Sequence, residues 1–297
     1  AIGLGEVFEW ASPKPLTPFE VLEKIEKSRP YLNEPFFLAR GFGYVALWAG
    51  LALLLRRWSL RSDVDPAPAT VLRPRFLSAA MLPVMAITIN FAAWDWLMTL
   101  SPAWHSSMFG IYVFAGGFAG AVAVAILGVF AAVRAGALPA EVGESHFHAL
   151  GKLLLTAVVF WAYTFYFQGM LIWIANVPEE TFWYSIRSAG PWLPVFWIVA
   201  GAQFAVPFAA LLSRGLKRRP APLAAVAAWV LLAHYVDVYW IVMPHALRGR
   251  SWPSWPTLVS LAAVVGVAGL AGLLFARVRS LPIQDPRALA GLEYETK

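Results

Sequence analysis

MFGIYVFAGGFAGAVAVAILGVFAAV, from Met108 to Val133, carries no charged side chain, and Arg134 closes it. As a helix rising about 1.5 Å per residue, the stretch reaches roughly 39 Å, against about 30 Å of bilayer hydrocarbon. Working outward, six further apolar stretches satisfy the same length criterion, at about Phe36–Leu55, Phe76–Leu100, Phe147–Ala175, Trp192–Leu212, Pro222–Met243 and Trp255–Ala276. Polar or proline-bearing turns separate them: Ser101-Pro102 ends the second, Asn176-Val177-Pro178 the fourth, and Pro244 stops the sixth. The fold class that follows is all-α, a polytopic transmembrane helical bundle of about seven spans. Residues 1–35 form an extracytoplasmic lead-in segment, 36–279 the bundle and 280–297 a cytoplasmic tail.

Composition agrees. The chain is 60% hydrophobic and 13% charged, where soluble domains average about 45–50% and about 25%. With no cysteine, disulfides, thiolate metal sites and thioether-linked haem are excluded. The net charge of +6 points to topology rather than nucleic acid, because Lys and Arg gather on the cytoplasmic side of membrane proteins. Arg56, Arg57, Arg61, Arg73 and Arg75 follow the first span, and Arg214, Lys217, Arg218 and Arg219 follow the fifth. The segment before span one is therefore expected outside and the C-terminus in the cytoplasm. Lys14, Lys24, Lys27 and Arg29 count against this, but the two densest clusters agree with it.

The first residue, Ala1, enters AIGLGEVFEWASP without a charged flank, so this is no signal peptide, and the polypeptide is expected to begin further upstream. Thr17 with Glu20 has the spacing of a capping box for a short amphipathic helix. Trp58, Trp104, Trp173, Trp183, Trp192, Trp252 and Trp255 lie near span ends, where aromatic belts form. Gly116, Gly117 and Gly120 in span three, and Gly266, Gly269 and Gly272 in span seven, would let helices approach closely.

An ionisable group inside hydrocarbon costs at least a few kcal/mol and is a functional candidate by default. Asp95 lies in span two between Trp94 and Trp96. Asp237 lies in span six, with His234 one turn earlier and Trp240 one turn later. His148 and Lys152, at i and i+4 in span four, sit near the cytoplasmic side, with Tyr163 and Gln168 deeper and Asn90 mid-span in span two. Each has a plain structural alternative: Asp95 can bond helix amides, His234 with Asp237 can pin two helices, and Lys152 can snorkel. His105 and His245 belong to outer turns and are expected to be solvated; His146 is expected at the interface. Two chemical readings remain. Asp95, Asp237 and His234 as outer groups, with Gln168, His148 and Lys152 as middle and inner ones, have the types a proton relay needs. Alternatively, Asp95, His105 and Trp94 supply the acceptor, donor and aromatic slot of a quinone site.

Three stretches carry a family resemblance: AWDWLMTLSPAWHSSMFGIYVFAG (93–116), HALGKLLLTAVVFWAYTFYFQGMLIWIANVPEETFWY (148–184) and HYVDVYWIVMP (234–244), with YLNEPFFLAR leading into the first span. They resemble the polysulfide-reductase-type membrane subunits of alternative complex III, a bacterial quinol:electron-acceptor oxidoreductase, and match the second of its two such subunits best. The resemblance implies a ten-helix fold of which these spans are the C-terminal part, and a place in the bacterial inner membrane. It implies partners: a second polysulfide-reductase-type membrane subunit, an iron–sulfur subunit and c-type cytochrome subunits. Haem c and iron–sulfur clusters would belong to those partners, quinol to the related membrane subunit, and no cofactor to this chain. One departure bears on activity. Span four reads Trp161-Ala162-Tyr163 and then Phe167-Gln168, without the glutamate of the Tyr-x-Glu-type pattern of the quinol-reactive subunit. Scaffold and proton path are the implied roles; a quinone-binding catalytic subunit, a secondary transporter and a structural anchor are the rivals.

Overall fold

The computed structural model describes residues 3–13, 15, 17–62, 64, 68–139, 141–247, 255–276 and 291–295. A one-turn helix α1 (Leu4–Val7) and an amphipathic α2 (Phe19–Ser28) precede the long helices α3 (Glu34–Ser62) and α4 (Pro68–Trp96). Then come α5 (Phe109–Arg134), α6 (Glu144–Ala175) and the short α7 (Pro178–Arg187). The next span is composite: α8 (Leu193–Ala200), a π-helical turn at Gly201–Ala205, and α9 (Val206–Leu212). A short α10 (Arg214–Arg218), α11 (Pro220–Leu247) and α12 (Trp255–Ala276) complete the order. Among the described residues there is no strand, and six helical stretches are long and apolar enough to cross a membrane. The seventh expected span is also helical, as α12. The chain is an all-helical, multi-pass membrane protein.

Several boundaries depart from expectation for local reasons. Helix α3 runs past Arg56 and Arg57 to Ser62, and α4 begins at Pro68 rather than near Phe76. Proline is welcome in a first turn, where its missing N–H has no partner to lose, so Pro68 opens the helix instead of extending a linker. Pro244 lies inside α11, which continues to Leu247. Pro18, not Thr17, flanks α2, and the Thr17 hydroxyl donates to Glu9 Oε1 at 2.7 Å. The capping box is therefore not formed. Helix α6 ends where Asn176 turns left-handed (φ 49°) and Val177-Pro178 starts α7.

Helix α5 is the most buried span and packs against α4, α6 and α11. Its small residues make this possible. A Cβ on Gly110 would lie 2.2 Å from Asn90 Oδ1 and 3.0 Å from Asn90 Cα, and one on Gly116 would lie 2.7 Å from the His234 ring. Gly117 faces open space, as do Gly266 and Gly269 of α12. Gly266 and Gly269 thus serve no close approach to the described part of this chain; the side-chain surroundings of Gly272 lie outside the described residues, as do Trp252, positions 277–279 of the expected bundle and positions 280–290, 296 and 297 of the expected tail.

The core has two layers. An aliphatic layer joins Ala119, Ala123 and Ile126 of α5 to Leu154, Ala157 and Val158 of α6, Leu211 of α9 and Leu223, Ala227 and Val230 of α11. An aromatic layer at the other end holds Trp104, Phe109, Tyr112, Trp161, Trp183, Trp192 and Trp240. Trp104 stacks on Trp183 at 4.4 Å between ring centroids, and Trp183 meets Trp240 edge-on at 5.5 Å. Trp104, Trp183 and Trp192 are therefore core residues and not members of an interfacial belt, because α7 folds back over the bundle and covers them. Trp173 and Trp255 are exposed, as a belt requires.

Gly110→Ala should destabilise the bundle by about 1–3 kcal/mol, the usual cost of overpacking a tight contact, since Asn90 backbone leaves no room. Gly117→Ala should stay within about 0.5 kcal/mol. Thermal unfolding of the two variants in detergent checks the contrast, and equal shifts would contradict the α4–α5 packing.

Candidate functional site

Asp237 stands where three spans meet. It is 1% exposed on α11. The Tyr112 hydroxyl of α5 donates to its Oδ1, and the Trp161 indole of α6 donates to its Oδ2 at 3.1 Å. His234, one turn earlier on α11, places Nδ1 3.6 Å from Oδ2, and that nitrogen has no hydrogen-bond partner. The ring fits because Gly116 and Gly120 of α5 present no side chain to it. Asp237 and His234 are thus brought together as the sequence suggests. Tyr112 and Trp161 were not singled out there, because aromatic residues fill every span and their donors leave no separate trace.

Arg187 was also missed. It ends α7, is 1% exposed, and has no carboxylate within ion-pair distance among the described residues. Its Nη1 donates to the Trp183 carbonyl at 3.0 Å and its Nη2 to the Ile241 carbonyl at 2.7 Å. The guanidinium lies 3.7 Å above the Trp183 ring, a cation–π contact. Burial pushes its pKa down to about 9, opposed by Tyr184 and Tyr112. Tyr184 is pushed up by burial and lies within electrostatic range of both Arg187 and Asp237. A buried cation and a buried carboxylate therefore flank one tyrosine pair.

Asp95 has a different environment. Arg40 of α3 grips it with two hydrogen bonds, Nε to Oδ2 at 2.8 Å and Nη2 to Oδ1 at 2.9 Å, and Tyr44 donates to Oδ2 at 2.9 Å. Arg40 in turn donates to the Tyr31 carbonyl at 3.0 Å, with its guanidinium 3.8 Å from the Tyr31 ring and 4.2 Å from that of Phe36. Burial, and then the Asp95 carboxylate, push the Tyr31 hydroxyl above its usual range. Arg40 reads in sequence as an ordinary residue near a span end, and its distance of 55 positions from Asp95 hides the pair.

The expected inner and middle groups do not form one cluster. Gln168 is 2% exposed, and neither polar atom of its amide finds a hydrogen-bond partner. His148 is buried, but Lys152 is exposed. The buried cation near His148 is Lys217 of α10, whose stem packs where a Cβ on Gly151 would stand. Thirteen residues of α6 separate His148 from Trp161, about 20 Å of helix, and the aliphatic layer lies between them.

Trp94 and His105 share a cleft of about 490 Å³ with Tyr31, Leu32, Phe91, Met98 and Trp104, while Asp95 turns away toward Arg40. The Trp94 indole N–H has no partner and His105 is exposed. His245 is not simply solvated, since its Nε2 meets the Ser101 hydroxyl. His146 receives the Gly143 N–H at 3.4 Å. Asn90 uses its amide on the Ala86 carbonyl at 2.8 Å, and Tyr163 is exposed on α6.

Removing one partner of a buried ion pair strands the other charge and costs about 3–5 kcal/mol. Arg40→Met should therefore destabilise strongly, and adding Asp95→Leu should restore most of the loss. Thermal melts of the single and double variants decide this; a double variant as weak as the single one would mean that the pair itself, not the stranded charge, carries the stability. No family model matches this chain and no curated protein matches it in sequence, so the chemistry of these residues rests on their own geometry.

Proposed function

We propose that this chain is a membrane subunit of a bacterial respiratory quinol:electron-acceptor oxidoreductase that binds no redox cofactor of its own and supplies scaffold and an intramembrane proton relay centred on Asp237. The observation that carries the relay is the fully buried Asp237 carboxylate, held by the neutral donors Tyr112 and Trp161 with His234 beside it. Such a carboxylate is expensive to keep in hydrocarbon. Its donors stabilise the anion, yet neither neutralises it as a guanidinium would. A proton arriving on His234 Nδ1 faces Oδ2 across 3.6 Å, and a small approach of the ring delivers it. Protonated Oδ2 then weakens as an acceptor for Trp161, while Tyr112 keeps Oδ1 in place.

The partners in this reading are those the sequence resemblance implies: a second polysulfide-reductase-type membrane subunit, an iron–sulfur protein and c-type cytochromes, whose clusters, haems and quinol would perform the electron transfer. The arginine-rich end of α3 and the basic α10 would face the cytoplasm by the positive-inside rule, with the C-terminus on the same side and Asp237 toward the outer half. The ten-helix polysulfide-reductase-type fold, to which these helices would contribute the C-terminal part, belongs to the same reading.

A second reading has its own observation. The cleft lined by Trp94 and His105, with aromatic walls and an unpartnered indole N–H, suits the ring and carbonyl of a quinone. A photoreactive quinone analogue should then label the peptide spanning Trp94 to His105, and excess quinol should suppress that labelling. Labelling confined to the partner membrane subunit would dismiss it.

Purification of the tagged chain from native membranes should bring down a multihaem cytochrome c, an iron–sulfur protein and a second membrane subunit; a chain emerging alone and colourless would overturn the respiratory assignment. In the intact complex, Asp237→Asn should lower the proton-to-electron ratio while quinol oxidation continues. An unchanged ratio would remove Asp237 from any proton path.

A further inference from the structure

The gap of about 20 Å between His148 and the Asp237 level contains a buried polar side chain that the relay has not used. Gln203 lies in the π-helical turn Gly201–Ala205, is 1% exposed, and has no hydrogen-bond partner at either amide atom. Two measurements along the helices place it. Trp192, at the start of the same span, packs on Tyr239 at 5.7 Å, beside the Asp237 level, and Gln203 follows eleven residues later, about 16 Å further inward. Trp229 donates its indole N–H to the Ala202 carbonyl at 2.9 Å, and Trp229 precedes Asp237 by eight residues, about 12 Å. Both put Gln203 in the middle of the aliphatic layer, between the inner His148 and Lys217 and the outer Asp237.

The turn that carries it has a physical origin. Pro207 has no N–H. With the Val206 N–H bonded to the Gly201 carbonyl five residues back, the next bond in that register would run from residue 207 to the Ala202 carbonyl. The proline cannot make it, and Trp229 supplies the donor instead. The widened turn packs against both α6 and α11, and π-helical turns of this kind recur at functional sites. A buried amide with neither polar atom satisfied costs about 1–3 kcal/mol, and a water with two or more polar partners is the usual remedy. Gln168 repeats the pattern about 10 Å outward of Trp161 along α6.

We infer that Gln203 is a water-binding station that carries a hydrated proton passage through the aliphatic layer, from the side bearing His148 and Lys217 to His234 and Asp237. This rests on the relay reading for its purpose but not for its hydration. The amide donates one N–H and accepts at its carbonyl oxygen, so it orders water without itself changing protonation. Protons cross by hopping along that water, and the side chain stays neutral throughout.

Residues 1–297 contain no cysteine, so the peptide carrying an introduced thiol at 203 or 205 has no other thiol. In the intact complex in inverted membrane vesicles, Gln203→Cys should react with 2-aminoethyl methanethiosulfonate, whose attack by a hydrated thiolate forms a mixed disulfide and expels the sulfinate. Ala205→Cys, exposed on the apolar outer surface of the same turn, should not react, and the mass of that peptide reads both. Gln203→Leu should lower the proton-to-electron ratio to the level of Asp237→Asn, with quinol oxidation retained, and Gln203→Asn should keep most of it. An unreactive Gln203→Cys, equal to Ala205→Cys, overturns the hydrated station. A reactive cysteine with an unchanged ratio in Gln203→Leu, while Asp237→Asn lowers it, removes Gln203 from the path. If neither variant changes the ratio, the relay reading falls, and the labelling alone decides whether water reaches Gln203.

Discussion

A carboxylate inside a bundle of apolar helices must find its donors on other helices, and the two buried aspartates among the described residues obey that constraint. Asp237 draws Tyr112 of α5 and Trp161 of α6 to α11, and those three helices form the centre of the bundle. Asp95 ties α4 to α3 through Arg40 and Tyr44. Helix α3 buries little of its own apolar surface, so this polar attachment weighs more for it than for α5. Hydrocarbon lends such bonds no competing water, although the net gain is tempered by whatever partners the separated helices would find.

Backbone donors are subject to the same rule. Pro74, Pro83, Pro207 and Pro244 all lie within helical stretches, and each removes an N–H that hydrocarbon cannot replace. The best resolved response is at Pro207, where the helix widens by one residue and an indole from α11 takes over the lost role. One backbone defect thereby fixes the rotational setting of α8 and α9 against α11. The same turn directs a glutamine into the core.

Much of the architecture is legible in the sequence because lipid imposes length and polarity together. The uncharged run from Met108 to Val133 has few alternatives to the buried central helix α5. Span ends are less legible where proline is concerned, since Pro68 opens a helix, Pro244 sits inside one, and composition does not distinguish these roles. Asp95, Asp237 and His234 declare themselves as misfits in apolar surroundings. Their partners do not. Arg40 has the sequence appearance of an interfacial residue, Tyr112 and Trp161 are two aromatics among many, and Arg187 sits in a polar connecting helix that gives no hint of folding over the core. Gln203 left a readable signal, a lone amide four residues before a proline in an otherwise apolar span, but only the π-helical turn gives it direction.

The two aspartates separate by the chemistry of what holds them. Arg40 meets Asp95 with two parallel charge-assisted hydrogen bonds, the strongest arrangement available to a carboxylate. The pair acts as a clasp between α3 and α4. Asp237 accepts hydrogen bonds only from neutral donors, the Tyr112 hydroxyl and the Trp161 indole. His234, its Nδ1 unpartnered and close to Oδ2, stands ready on the side facing Gly116 and Gly120. Equal burial is thus met in two ways, by a bidentate arginine at Asp95 and by neutral donors from two neighbouring helices at Asp237.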